Sequence, residues 1–505
     1  MTYRHSQSIA ASGLALLSSN YTVAVFNIVF SMILLRLLTT TEFAVVVVLE
    51  ILTALAAFSD FGLNTVFLQR SPSGLSIDGN RAEALGLIRL AVYFRFAVLC
   101  ILGLIMSVLA EPLSNLLLKT PDYAPHVRLL VVGVVMSTML ESFKHVAQAA
   151  QDFRRVARWT FWMGVSYQIV GLALYAVFGF CGYLYGLVVV ITAGALSLGW
   201  VMRAYWINDA PVAPLWANLK YGFPFFVRTI FRFGFMRLDQ LLVGILLSPN
   251  TLAIYSVAKR LTSAISMITE AFNLPIFMRS ASMRAASPSE QGRLYEKAIR
   301  YVPTLIVPVS VIMAAASPWL MYILGGEKYV AGWPILVLLC LAEVGYVLSG
   351  IPGMFVFTLC PPWATLVQDA VIGTINYLLA PLLILSMGVY GVAIGRIIGF
   401  AVGWWLSQRL LRSCTKLSVD WSTLRRLVLP LSLSVLVVTI GQQLYFTLWV
   451  VPLYMGAGTL LFVLALGLWL DAEDWQLISE VVPKRFVQGI NWAHRLLRRD
   501  RPSHT

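Results

Sequence analysis

The chain has 505 residues, of which 59% are hydrophobic and only 12% are charged, and its mean hydropathy is +0.80. Soluble domains carry about 25% charged residues, and a single soluble core cannot bury this much apolar surface. The composition excludes soluble enzymes, secreted disulfide scaffolds, disordered chains and soluble nucleic-acid binders. It predicts an all-α polytopic membrane protein.

Apolar segments long enough to cross a bilayer follow one another along the whole chain. A spanning helix needs about 20 mostly apolar residues. The first such run begins at Ile9 and is too long for a signal-peptide core, so it is interpreted as an uncleaved helix. About fourteen spans are predicted, at residues 12–35, 43–68, 85–109, 127–150, 159–180, 182–205, 221–247, 250–274, 301–324, 334–358, 364–386, 388–410, 426–448 and 451–470.

The distribution of lysine and arginine predicts the orientation of these spans. The even-numbered loops are rich in basic residues, whereas the odd-numbered loops contain only Arg36, Lys119 and Lys328. Basic loops stay on the cytoplasmic side of a membrane. The sequence therefore predicts a multi-pass inner (plasma) membrane protein with both termini cytoplasmic, and the net charge of +14 reflects topology rather than nucleic-acid binding.

The sequence contains no recognisable signature of covalent catalysis or metal binding. The five cysteines form no CxxC pair, the five histidines are scattered, and no P-loop or Ser-His-Asp set occurs. The predicted outer loops are short, the longest running from about 110 to 126. The sequence predicts no metal, no cofactor and no enzymatic activity.

An internal repeat divides the predicted spans into two groups. A shift of 209 residues aligns Leu37–Thr39 with Leu246–Ser248, and a shift of 205 aligns Tyr185 and Gly186 with Tyr390 and Gly391. The simplest account is two six-helix bundles in a parallel pseudo-repeat. The predicted parts are a first bundle (1–210), a second bundle (211–412), two additional helices (413–470) and a basic amphipathic cytoplasmic tail (471–505).

Four short motifs resemble those of a known family. They are FSDFGL at 58–63, KYGFPF at 220–225, RLDQ at 237–240 and AIYSVA at 253–258. In order and spacing the chain resembles the Wzx-type flippases, polysaccharide-biosynthesis exporters of the multidrug/oligosaccharidyl-lipid/polysaccharide exporter superfamily. The resemblance implies two bundles around a central cavity and flipping of a polyprenyl-diphosphate-linked oligosaccharide to the outer leaflet. The resemblance also implies that the protein has membrane lipids, a polysaccharide polymerase and the export machinery as partners.

Ionisable side chains inside spans are costly and are functional candidates by default. Arg228 and Arg232 lie four apart on one face of the seventh span, and Arg237 follows. Because arginine binds phosphate oxygens through a planar fork, these residues are predicted to bind a lipid diphosphate. An ion pair of Arg237 with Asp239 or Glu270 is the alternative.

Two further cations are predicted to bind substrate, Arg95 in the third span and Lys259 in the eighth. Glu50 aligns with Lys259 in the repeat, which predicts either a latch between the halves or opposite cavity walls. Glu50, Asp60, Asp239 and Glu270 are the candidates for binding a coupling Na⁺ or H⁺. Asp60, at a span end, also suits a capping role, and Asp239, beside Arg237, a structural one.

Three other functions remain open at this point. A peptidoglycan-precursor flippase and a cation-coupled small-molecule antiporter belong to the same transporter class. A membrane glycan polymerase is disfavoured because the predicted outer loops are short.

Overall fold

A computed structural model describes residues 26–75, 80–150, 152–282 and 288–415. Spans 426–448 and 451–470, the basic tail and the first part of the first span lie outside the described residues. The described chain forms α-helices, with two 3₁₀ turns at Ala57–Asp60 and Pro121–Tyr123. The α-helices are α1 (Phe26–Leu37), α2 (Thr40–Ala56), α3 (Leu63–Gly74), α4 (Arg81–Val108), α5 (Ala110–Leu118), α6 (Ala124–Ala149), α7 (Phe153–Val201), α8 (Arg203–Trp206), α9 (Leu215–Met236), α10 (Leu238–Leu246), α11 (Pro249–Ser282), α12 (Pro288–Ala315), α13 (Ser317–Gly325), α14 (Glu327–Val330), α15 (Trp333–Leu359), α16 (Pro362–Met387) and α17 (Val389–Thr415).

The prediction of an all-α membrane protein is confirmed. Within the described ranges, seven helices are long and apolar enough to cross a membrane. One of them, α7, contains two predicted spans, because Gly179 has non-helical dihedral angles that separate 159–180 from 182–205. Many strongly exposed apolar side chains, including Leu104, Val177 and Leu385, lie on these helices, as expected for surfaces that face lipid.

Matching backbone features recur 209 residues apart. Thr39 caps α2 by accepting from the Glu42 N–H, and Ser248 caps α11 by accepting from the Thr251 N–H. The helical hairpins turn at Gly179 (φ 63°) and Gly388 (φ 61°), where a left-handed conformation suits glycine. These correspondences support the parallel repeat, and we refer to residues 26–206 as the first half and 215–415 as the second half.

The last helices of the two halves align at the same offset of 209, not at 205. A Cβ at Gly182 would lie 2.2 Å from the Leu174 carbonyl oxygen, and one at Gly391 would lie 2.0 Å from that of Leu383. Gly182 therefore corresponds to Gly391. The shift of 205 displaced this pairing by about one helical turn, because apolar helices offer many similar registers. The residue boundaries predicted from the sequence for the two bundles, the two additional helices and the tail remain predictions.

Two features lie at the predicted cytoplasmic side. The ninth span, predicted at 301–324, begins earlier in the structure, since α12 runs unbroken from Pro288 to Ala315. The guanidinium of Arg89, on α4, donates to the carbonyls of Asn208 (2.7 Å) and Ala210 (3.2 Å), in the connection between the halves.

Helix α2 is positioned in the interior between the halves. Nearly all of its side chains from Phe43 to Leu52 are buried, and it packs against α6 of the first half and α11 of the second. A helix that is apolar on every side is expected to be enclosed by other helices. This position makes Glu50, on the same helix, a group that can contact both halves.

Candidate functional site

The predicted seventh span consists of two helices that meet at Arg237. Helix α9 ends at Met236, Arg237 has φ −135° and ψ −17°, and α10 begins at Leu238. A break of this kind leaves backbone carbonyls without intrahelical partners. The Lys259 ammonium from α11 donates to the Met236 carbonyl at 2.8 Å and so satisfies one of them.

The side chain of Arg228 has an acidic partner that sequence analysis did not name. Its Nε lies 2.6 Å from Oδ2 of Asp369 on α16, and its guanidinium lies 5.0 Å from the centre of the Phe357 ring. Asp369 falls within the predicted span 364–386, so the rule that flags charges inside spans would have found it. The distance along the chain, 141 residues, gave no indication of the pairing.

Arg232 is exposed, one turn along α9 from Arg228. Among the carboxylates of the described chain, none forms an ion pair with it. Two like charges one turn apart repel each other. Asp369 neutralises Arg228, whereas no carboxylate of the described chain does the same for Arg232.

Arg237 contacts the first half. Its Nη1 lies 3.1 Å from Gln240 Oε1 and 3.7 Å from Glu50 Oε2, and 44% of its side chain is exposed. The expected alternative partners, Asp239 and Glu270, are wrong, because the neighbouring carboxylate is Glu50.

Asp239 lies at the centre of a buried charge network. Lys259 Nζ donates to both of its oxygens (2.7 and 2.8 Å), and Arg396 Nη1 and the Tyr255 hydroxyl each approach Oδ2 at 2.7 Å. The predicted binding residue Lys259 and the predicted coupling residue Asp239 are thus each other's partners. Arg396, on α17, is also buried in this network.

Glu343 completes the network on its other side. It accepts a hydrogen bond from Ser266 Oγ at 2.8 Å, and its Oε1 lies 3.5 Å from Arg396 Nη2. Two carboxylates and two cations therefore balance each other inside the second half. We refer to Asp239, Lys259, Glu343 and Arg396 as the buried network. Such an arrangement is intolerant of losing one member, since an unpaired buried charge is strongly destabilising.

Glu50 joins the two halves at the level of these charges. Its Oε1 lies 2.5 Å from Arg260 Nη2, and Arg260 also donates to Ser31 Oγ of α1 at 3.3 Å. The contact across the halves is therefore made with the residue that follows Lys259, rather than with Lys259 itself.

The remaining candidates lie in separate environments. Arg95 is buried, with its guanidinium 3.3 Å from Ser59 Oγ and 2.9 Å from Ser142 Oγ. Asp60 accepts the Gly62 N–H at 3.0 Å, in agreement with a local capping role. Glu270 is exposed, and no described cation forms an ion pair with it.

The first two resemblance motifs meet between the halves. The rings of Phe61 and Phe226 stack with centroids 4.8 Å apart, and a Cβ at Gly62 would lie 2.2 Å from the Gly222 carbonyl oxygen. Gly62 has φ +83°, so both its conformation and the close approach require glycine. This contact closes one end of the interface, next to α9 and its arginines.

Comparisons with known proteins agree on family and fold. The profile of the family described as polysaccharide biosynthesis protein matches residues 33–334. A relative is the probable low-salt glycan biosynthesis flippase Agl15 of Haloferax volcanii, 21% identical over 318 residues, which are 61% of this chain. The chain spans 66% of that relative's length.

Two solved structures share the fold. The lipid II flippase MurJ in its inward closed conformation superposes with a TM-score of 0.70 at 13% identity, covering 90% of this chain and 98% of MurJ. An inward-facing multidrug resistance MATE family transporter of the MOP superfamily gives a TM-score of 0.62 at 15% identity, covering 79% of this chain and 96% of that one.

Proposed function

This chain belongs to the family of polysaccharide biosynthesis proteins, and from this premise we propose that it is a flippase for a lipid-diphosphate-linked oligosaccharide. The cargo moves from the cytoplasmic to the outer leaflet of the inner membrane by alternating access, with both termini cytoplasmic. No bond of the glycan is made or broken. Membrane lipids, a polysaccharide polymerase and export machinery are the proposed partners.

The observation behind this proposal is the difference between two neighbouring arginines. Arg228 is paired with Asp369, while Arg232, one turn away, is exposed and has no carboxylate partner in the described chain. A diphosphate offers enough oxygens for both guanidinium groups. When the diphosphate binds, its oxygens pair with the Arg232 guanidinium and compete with the Asp369 carboxylate for Arg228.

In the proposed mechanism, Asp369 neutralises Arg228 while the transporter is empty. The arriving diphosphate takes the place of that carboxylate, and departure of the cargo allows the ion pair to reform. Substrate entry and release then exchange one anion for another, so an unpaired Arg228 charge is avoided at both stages. Arg237 lies further along the same span and contacts Glu50, which makes it a second contact for the cargo when the halves separate.

The buried network argues against direct phosphate binding by Lys259. Its ammonium already donates to Asp239 and to the Met236 carbonyl. We assign Lys259 and Asp239 to maintaining the broken seventh span. Glu270 is exposed and remains the candidate for a coupling cation among the four carboxylates considered.

A flipping assay tests the proposal directly. Purified protein is reconstituted in liposomes with a fluorescent polyprenyl-diphosphate oligosaccharide, and the fraction that reaches the other leaflet is measured over time. We expect Arg232→Ala to abolish most flipping. Arg232→Lys should reduce flipping less, because lysine keeps the positive charge but cannot donate two parallel hydrogen bonds to a phosphate. Arg128→Ala, which removes an exposed arginine from α6, is the matched control.

Two outcomes contradict the proposal. Full flipping by Arg232→Ala removes the diphosphate-binding assignment. A covalently altered glycan after incubation indicates a polymerase instead of a flippase. A lipid-diphosphate carrying the peptidoglycan sugars, tested in the same assay, separates the peptidoglycan-precursor alternative from the oligosaccharide one.

A further inference from the structure

At the end of the molecule opposite Gly62, two lysines donate hydrogen bonds across the interface between the halves. Lys119, which follows α5 of the first half, donates from Nζ to the Ile245 carbonyl in the last turn of α10. Lys328, in α14 of the second half, donates from Nζ to the Leu38 carbonyl just after α1. Each half thus supplies a cation to a helix end of the other half.

The two contacts are related by the internal repeat. Lys119 and Lys328 are 209 residues apart, and each lies in the connection between a nine-residue helix and the following long helix, α6 or α15. The helices that they cap, α1 and α10, end at Leu37 and Leu246, again 209 residues apart. The donors and the helix ends therefore correspond under the repeat, and the two acceptors, Ile245 and Leu38, lie within two residues of equivalent positions.

The chemistry of these contacts depends on the arrangement of the halves. The last carbonyls of a helix have no intrahelical partners, and a positive charge beside them is stabilising. A third cation acts in the same way, since Arg36 Nη2 donates to the Ile323 carbonyl at the end of α13, at 3.1 Å. Arg36, Lys119 and Lys328 are also the three basic residues that the sequence assigns to odd-numbered loops.

A cap of this kind differs from an ion pair. The acceptor is a backbone carbonyl fixed at the end of a helix, so it cannot follow the lysine when the halves move apart. The lysine, once released, is hydrated. The hydrogen bonds therefore form only when this end of the interface is closed.

We propose that Lys119 and Lys328 are paired gating residues that hold this end of the transporter closed by reciprocal capping, and that both caps break when it opens. The inference rests on the proposed alternating-access function. Under the predicted topology this is the outer end, through which cargo leaves. Glu50 and Arg260 form a further contact beneath the caps, so removing a lysine weakens the closure without abolishing it.

The width of the interface at this end can be measured without substrate. In a background in which the five native cysteines are replaced, spin labels are attached at Asp122→Cys and Asn250→Cys, both at exposed positions in different halves. Double electron–electron resonance in nanodiscs then reports the distances between the labels. Lys119→Met, Lys328→Met and the double variant remove the donors and keep much of the apolar stem.

We expect each single variant to increase the population of the longer distance by about two- to fivefold, the shift for losing one charge at a helix C-terminus. The two single variants should have similar effects, and the double variant about their product. Lys119→Arg and Lys328→Arg, which keep the charge and the donors, should resemble the parent. Lys144→Met, which removes a lysine paired with Glu141 inside the first half, is the control.

An unchanged distance distribution in the double variant overturns the proposal. If only one of the two single variants increases the population of the longer label distance, the reciprocal pairing of the lysines is wrong. The distance measurement requires no cargo, so the two proposals can fail separately. If the parent protein flips no lipid-linked glycan but the label distances still lengthen in the double variant, the proposed function is wrong and the gate stands. If flipping is normal and depends on Arg232 but the label distances do not change, the gate is wrong and the proposed function stands.

Discussion

The two halves of the protein share a backbone plan but not a charge pattern. At the offset of 209 residues, Asp239, Lys259 and Arg396 of the second half correspond to Phe30, Glu50 and Leu187 of the first. The hairpins and helix caps agree in both halves, although the buried network is found in the second half only. The comparison indicates that the repeat accounts for the shared backbone, whereas the buried network is specific to the second half, where it surrounds the break in the seventh span.

Within the second half, the charges themselves fall into two kinds. The buried network is balanced and enclosed, whereas Arg232 is exposed beside the paired Arg228. A position inside a span is therefore not sufficient to identify a binding residue. The proposal for Arg232 depends on two further observations, its exposure and the absence of a carboxylate partner among the described residues.

The largest effect is expected where the halves differ most, at the buried network. Arg396→Leu introduces the residue found at the equivalent position of the first half. It leaves the two negative charges of Asp239 and Glu343 with Lys259 as the one remaining cation of the buried network. We expect a loss of about 3–5 kcal/mol of stability, the cost of breaking a buried ion pair. Thermal unfolding of the purified protein in detergent measures it. Leu187→Met, a volume-conserving change in the first half, is the control, and equal unfolding temperatures would show that the network is dispensable.

A second prediction concerns a feature that the halves share. Gly182→Ala and Gly391→Ala each place a Cβ against a backbone carbonyl at about the same distance. Overpacking of this kind costs about 1–3 kcal/mol, and we expect the two variants to be destabilised to a similar extent. Gly395→Ala serves as the control, because its Cβ would be 3.6 Å from the nearest atom, Ala380 Cα. A large effect of only one of the two replacements would contradict the common register.

Asp369→Asn tests the distinction between paired and unpaired arginines. Removing the carboxylate frees Arg228 for the diphosphate, so we expect binding of a polyprenyl diphosphate to become about tenfold tighter, which corresponds to about 1.4 kcal/mol. Flipping should become slower because release is impaired. Binding is measured by microscale thermophoresis and flipping in liposomes. Unchanged or weaker binding by a folded variant would indicate that Asp369 has only a structural role.

The smallest effect is expected at the equivalent helix caps. Thr39 forms a capping box with Glu42, whereas Ser248 caps α11 through its interaction with Thr251. Loss of a capping side chain costs about 1 kcal/mol, so Thr39→Ala and Ser248→Ala should both lower the unfolding temperature slightly. We expect Thr39→Ala to cost more, since it also removes the hydrogen bond from the Thr39 hydroxyl to the Glu42 carboxylate. The opposite order would show that the two caps are not equivalent.

Several features of the fold could be predicted because their signals are local. Apolar length located the seven described helices that could cross a membrane, and the alignment of Leu37–Thr39 with Leu246–Ser248 gave the offset of 209 at which the backbone features recur. The register of the last two helices was wrong. In that region the similarity rested on small and aromatic residues that recur often in apolar helices, while the decisive feature, the positive φ of Gly179 and Gly388, is not visible in sequence.

The candidate site was less predictable. Arg228 and Arg232 were identified from their type and spacing, but Asp369 was not connected with them, and Arg237 was assigned the wrong alternative partners. Arg95 was expected near a cavity and is enclosed by two serine hydroxyls. Partner choice depends on how neighbouring helices are rotated, which a single span does not encode.

The sequence by itself determined the membrane class, the all-helical architecture, the repeat and the presence of costly intramembrane charges, because these follow from composition and from spacings along one helix. Only the tertiary structure decided which charges neutralise one another. Arg228 and Asp369 are 141 residues apart, and Arg260 and Glu50 are 210 apart. Electrostatic energy depends on distance in space rather than along the chain, so the packing of the two halves left Arg232 without a carboxylate partner in the described chain.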